Sequence, residues 1–166
     1  MAKPYYRVAK YDCQRSLGYL IRRVGNLMQP CAEALFTDEA LTFTQWITLM
    51  GLRDGLAHTT TELAHHLNHD PGATTRLVDQ LEKRGLVVRT RSRADRRVVE
   101  LALTPEGRAM AKAMIPRVVT LWNGILTDFS HAEIDRLIAT LNALAAKLEQ
   151  VQSETQERMR EARVAS

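Results

Sequence analysis

Apolar residues recur at three- and four-residue steps through most of this chain, and the interruptions mark its joints. Cys13, Leu17, Leu20, Ile21, Val24, Leu27, Met28, Cys31 and Leu35 form one stripe. It predicts a first helix from Asp12 to about Leu35, carrying both cysteines. Pro30 lies inside it and predicts a kink or the end of a first segment. Thr42 with Gln45 three residues on reads as a capping box. Phe43, Trp46, Ile47, Leu49, Met50 and Leu52 follow. They are too many for one narrow stripe, so this second helix should be mostly buried, ending at Asp54-Gly55. Thr59 and Glu62 predict a second capping box. The helix they open, Thr60 to about Asn68, turns Leu63, Ala64 and Leu67 inward.

The next stretch changes period twice. Asp70 is a good N-cap and Pro71 suits the first helical position, where a missing N–H costs nothing. Leu77, Val78 and Leu81 recur at helical spacing until Gly85 stops the helix. Leu86, Val87 and Val88 begin a strand. On the return strand Val99, Leu101 and Leu103 share one face. Between the strands runs Arg91-Ser92-Arg93-Ala94-Asp95-Arg96-Arg97, a tip with four arginines that cannot be buried. Three short helices, a tight turn and a basic hairpin describe a winged helix-turn-helix. The fold class is therefore mainly α with a small β-hairpin wing.

Thr104-Pro105-Glu106 starts another helix, which Pro116 should bend. Ser130 and Glu133 make a third capping box. After it Ile134, Leu137, Leu141, Leu144, Leu148 and Val151 alternate steps of three and four, a heptad seam. The seam predicts a dimer, with a core helix of a monomer as the plain alternative. The charged tail beyond it, from Gln152, is expected to fray. The expected division is an arm at 1–11, dimerisation helices at 12–36 and 105–155, a DNA-binding winged domain at 40–104 and a polar tail at 156–166.

Composition narrows the partners. With 166 residues, 45% hydrophobic and 25% charged, the chain can form one domain with a proper core. No apolar run approaches the roughly 20 residues of a membrane span. Met1 to Lys10 holds no apolar signal core, so a cytoplasmic protein is expected. Net charge is only +4, but Lys83 to Arg97 holds seven Lys or Arg residues against one acid. A patch of that density suggests phosphate, with a solvated hairpin as the plain alternative.

At this point the chain resembles the multiple antibiotic resistance regulator (MarR) family of bacterial transcription factors. The matching stretches are TTTELAHHL, TTRLVDQLEKRGLVVR and DRRVVELALTPEG. The last is the most specific, joining an Asp-Arg-Arg tip to a Leu-Thr-x-x-Gly helix start. The resemblance covers roughly residues 12–155, with Asp70-Pro71-Gly72 a departure at the start of the recognition helix. It implies an obligate homodimer, a recognition helix in each of two major grooves and a wing in each flanking minor groove.

The helix residues facing a groove would then be Gly72, Ala73, Thr74, Thr75 and Arg76, with Thr74 partly inward. Arg76 is the candidate for a guanine, since its fork matches O6 and N7, or else it clamps a phosphate. Thr75 would bond a phosphate or touch a thymine methyl. In the wing the family pattern Asp-x-Arg falls on Asp95 and Arg97, which implies that Arg97 enters the minor groove while Asp95 positions it. Arg93 and Arg96 would hold phosphates, and Arg91 belongs to the same basic loop. Two-fold symmetry predicts a pseudo-palindromic duplex operator with half-sites about 10 bp apart.

The resemblance also implies a small aromatic or phenolic effector that releases the DNA. Tyr19, Trp46 and Met50 are candidate liners of its pocket, with Arg22 or Arg23 for a carboxylate. A redox switch through Cys13 near a helix start is a second reading. The family's peroxide-sensing branch has tyrosines on the second helix where this chain has Phe43 and Trp46. A zinc site from His65, His66 and His69, completed by Asp70 or His58, is a third. No glycine-rich phosphate loop, nucleophile triad or paired carboxylates occur, so neither an enzyme nor a cofactor is expected. A winged-helix protein–protein module is the competing class, and the arginine-rich wing argues against it.

Overall fold

The computed structural model describes residues 4–37, 41–92 and 94–164. Helix α1 spans Leu17–Ala34, α2 Phe43–Arg53, α3 Thr60–Leu67 and α4 Pro71–Lys83. Strands β1, Val87–Arg91, and β2, Val99–Leu103, follow, then α5 Pro105–Ala113, α6 Ile115–Ile125 and α7 His131–Val164. No helix among the described residues is long and apolar enough to cross a membrane.

Local signals set most of these boundaries. Thr42 accepts the N–H of Gln45 at 3.2 Å while Gln45 Oε1 accepts the N–H of Thr42 at 3.1 Å, a complete capping box at α2. Asp70 takes the N–H of Ala73 at 2.9 Å with Pro71 in the first turn of α4. Gly85, at φ +68°, ends α4 with the paired bonds Leu86 N–H to Leu81 O and Gly85 N–H to Glu82 O. Only a residue free of a Cβ penalty adopts that left-handed turn without cost. Thr104 then caps α5 through the N–H of Gly107 and donates its hydroxyl to Gly85 O at 2.6 Å. That bond fastens the end of the wing to the end of α4.

The two strands pair antiparallel from Val87 opposite Leu103 to Arg91 opposite Val99. Leu101 and Leu103 face the core, and Leu101 N–H reaches His58 O at 2.7 Å, so the segment before α3 joins the sheet edge. Phe36, Leu41, Trp46, Leu49, Leu63, Val78, Leu81, Leu86 and Met114 belong to one buried cluster under the helices and the sheet. Trp46 closes it, stacked on Phe43 and donating its indole N–H to Ala111 O at 3.0 Å.

Contacts divide the chain between Val119 and Thr120. In the first unit α1 keeps only Ala32 buried, and most of its stripe is exposed, with Val24 61% and Leu27 63% open, while Met28 and Leu35 are half-buried. In the second unit α7 exposes Leu137, Ile138, Leu141, Leu148 and Val151.

Several expectations change. The first helix starts at Leu17, not Asp12, because Asp12 caps a separate 3-10 turn at Cys13–Arg15 and Ser16 is extended. Cys13 and Cys31 therefore do not share a helix. Pro30 does not end α1, which continues to Ala34. At α3 Thr59 caps Glu62, but the Glu62 carboxylate accepts from His58 N–H at 2.7 Å, one residue earlier than a reciprocal box requires. The segment after Thr104 is two helices parted at Met114, with Pro116 in the first turn of the second, where proline is tolerated. The described part of the tail is helical, since α7 runs unbroken to Val164.

Candidate nucleic-acid interface

The basic surface is built by α4 and the hairpin, with α3 packed against α4. Asn68, at φ 50°, turns the chain between the two helices, and the buried Leu63, Val78 and Leu81 press them together. The opposite side of α4 remains open. Gly72, Thr75 and Arg76 are exposed and Ala73 is half-buried. The Arg76 guanidinium lies back along the first turn, its Nη1 3.9 Å from where a Cβ on Gly72 would stand. Thr75 hydroxyl donates to Pro71 O at 2.9 Å, leaving its lone pairs and methyl available.

Thr74 is a correction. It is 0% exposed, with its hydroxyl bonded to Asp70 O at 3.1 Å. It sits four residues before Val78 on the same inward face, so it supports the helix and cannot reach a base from this position.

The wing tip is a defined turn. Ser92 N–H donates to Val98 O and Val98 N–H to Asp95 O, both at 2.9 Å. The Asp95 carboxylate accepts the backbone N–H of Arg97 at 2.9 Å. Asp95 therefore orients Arg97 through the main chain, an Asx-type turn, rather than through its guanidinium. Arg91, Arg96 and Arg97 are exposed. Arg93 lies outside the described residues.

Two contacts that hold this surface in shape escaped sequence reasoning. Arg89 on β1 donates to Asp79 Oδ1 at 2.7 Å and to Glu82 Oε2, both on α4. Burial of the guanidinium disfavours its charge, but the hydrogen bonds and charges of the two carboxylates outweigh this and raise its pKa above the ordinary arginine value. Asp79 and Glu82, three residues apart on one helix, were the available signal. The second contact joins Gln45 to Gln80 and Arg84, residues 35 and 39 positions away.

The nominated effector residues lie on two helices, α1 and α2. Trp46 is a core side chain, its ring and N–H both engaged, and Met50 packs half-buried against the same cluster. Tyr19, Arg22 and Arg23 are exposed on α1. A cleft of about 480 Å³ beside the arm is lined by Tyr5, Tyr6, Arg7, Lys10, Asp12 and Arg15, none of them among the five. Among the described residues no three His, Cys, Asp or Glu side chains converge as a metal site would need. His66 instead lays its ring on α2 beside Gly51. Cys13 and Cys31 are exposed thiols.

Comparison with known proteins agrees with this geometry. The model of the MarR family matches residues 41–99. An HTH-type transcriptional repressor of Mycobacterium tuberculosis is 34% identical over 96 residues, 58% of this chain and 69% of the relative. The solved transcriptional repressor CouR, bound to a 23-mer DNA duplex, aligns with TM-score 0.69 and 29% identity over 80% of this chain and 94% of its own. BpsR of Bordetella bronchiseptica, whose DNA binding is regulated by 6-hydroxynicotinic acid, aligns with TM-score 0.69 and 25% identity over 81% and 96%.

Proposed function

The chain belongs to the MarR family of transcription regulators, and from that premise we propose that it is a homodimeric repressor, freed from its operator by a small aromatic or phenolic molecule. The carrying observation is the pairing of an open reading face on α4 with an arginine-tipped wing on one buried core. Gly72, Ala73, Thr75 and Arg76 read the major groove, Arg76 taking a guanine or a phosphate. Arg97 enters the neighbouring minor groove, and Arg91, Arg93 and Arg96 hold phosphates beside it. Residues 40–104 form the reading domain.

Dimerisation is supported by the exposed apolar faces of α1 and, separately, of α7. Such large uncovered faces mark association surfaces. Residues 12–36 and 105–155 supply them. The protein works in the cytoplasm, where its operator is. The effector class rests on relatives such as BpsR, and on the principle that a ligand preferring one spacing of the reading heads shifts the population off DNA.

Selection of bound sequences from random duplex DNA tests the reading. A pseudo-palindrome with half-sites about 10 bp apart, bound by two chains with steep salt dependence, supports it. Recovery of no preferred sequence overturns it. Screening aromatic acids and phenols for release of the selected duplex tests the effector class.

A further inference from the structure

We infer that Gln45 is a positioning residue for the recognition helix, setting the angle at which α4 is presented to DNA; this rests on the operator-binding reading. Gln45 is only 9% exposed, and its amide holds three partners. Oε1 accepts the N–H of Thr42 at 3.1 Å and Arg84 Nη1 at 3.2 Å. Nε2 donates to Gln80 Oε1 at 3.3 Å. The orientation of the amide is dictated by these partners. Turned over, its NH₂ would face two donors, the Thr42 N–H and the guanidinium. One side chain thus closes the start of α2 and grips the last turn of α4.

The tie is placed where leverage is large. Arg84 caps α4 at its C-terminal end, and Gly72 lies twelve residues away at the reading end. That is about 18 Å along a helix axis. A swing of about 5° at the tie moves the reading end by about 1.6 Å, more than the roughly 0.5 Å tolerance of a working site. Loss of the tie should therefore reduce discrimination between sequences, while binding through phosphates persists.

The test compares three variants of the full chain on the selected operator and on a random duplex of equal length. Gln45→Met keeps length and removes all three bonds. It should lose about tenfold in operator affinity and no more than about twofold on the random duplex. Gln45→Glu keeps acceptors for the Thr42 N–H and for Arg84, and should recover operator affinity to within about threefold. Thr42→Ala removes the hydroxyl cap but leaves the amide tie, so it should lower Tm without changing operator affinity. Equal operator loss in Thr42→Ala and Gln45→Met would reduce Gln45 to a helix cap and overturn the inference. So would full operator affinity in Gln45→Met, or no recovery in Gln45→Glu. A parent chain that prefers no sequence overturns the operator reading and this inference together. A parent that selects an operator which Gln45→Met still holds equally well overturns this inference alone.

Discussion

Arg89 Nη2 donates to Asp79 Oδ1 at 2.7 Å, so the first wing strand is bolted directly to the recognition helix. Glu82 takes the other arm of the same guanidinium. The helix and the hairpin proposed to meet DNA are thereby tied to each other by one guanidinium. Arg89→Ala should cost about 1–2 kcal/mol, discounted because both carboxylates are partly exposed. That corresponds to a Tm fall of roughly 2–8 °C. Operator affinity should also fall, since the wing loses its register. Thermal melting and a DNA titration below the transition check both. An unchanged Tm would show the pair to be ornamental.

Thr74 and Thr75 are neighbours on different sides of α4, one buried and one exposed. Thr74→Val removes the buried hydroxyl bond to Asp70 O and should destabilise the fold by about 1 kcal/mol, with operator affinity kept. Thr75→Ala should leave Tm in place and weaken operator binding. Denaturant curves beside DNA titrations separate the two, and a swap of these effects would mean that α4 faces the other way.

Arg97→Ala is expected to weaken operator binding strongly and to lower the slope of log affinity against log salt by about one contact's worth. Asp95→Ala should produce a milder loss with an unchanged salt slope, since Asp95 acts through the Arg97 backbone N–H. Titrations across a salt series distinguish a lost phosphate or groove contact from a loosened turn.

Gly107 shows how tightly the wing end meets α5. A Cβ there would stand 2.0 Å from Leu86 O, which is backbone and cannot step aside. Gly107→Ala should destabilise by about 3 kcal/mol or leave the chain insoluble. Gly124→Ala, in α6 with nothing within 4 Å, should be neutral or stabilise by up to about 1 kcal/mol. Denaturation midpoints of the pair test the contrast.

Glu133 carries a pH signature. Its carboxylate accepts the Ser130 hydroxyl and the Ser130 N–H, and these bonds lower its pKa below the ordinary glutamate value. A lowered folded value means the cap's contribution is present above the unfolded pKa and lost as pH falls through the folded one. The first turn of α7 should therefore keep its amide protection through the ordinary glutamate range and lose it as pH falls through the lowered folded value. Glu133→Gln should remove that pH dependence, which hydrogen exchange at Ser130 to Ile134 reads.

The elements were largely legible because their signals are local. Thr42 with Gln45, Asp70 with Pro71, Gly85, Thr104 and Ser130 with Glu133 each act over a turn of chain, so spacing alone places them. The wing followed from alternation, and the family from the motifs that join its tip to α5. What the sequence could not decide was which side of each element would be claimed by another. Thr74 went inward because α4 rolls that face onto the core. Trp46 became a core wall because Phe36, Phe43 and the Ala111 carbonyl converge on it. Cys13 left the first helix because one Asp12 cap nucleated a separate turn. The Gln45 grip on Arg84 and the Arg89 bolt to Asp79 needed the packed arrangement itself. Caps depend on neighbours a few residues away, whereas these ties exist only once burial has brought distant segments together.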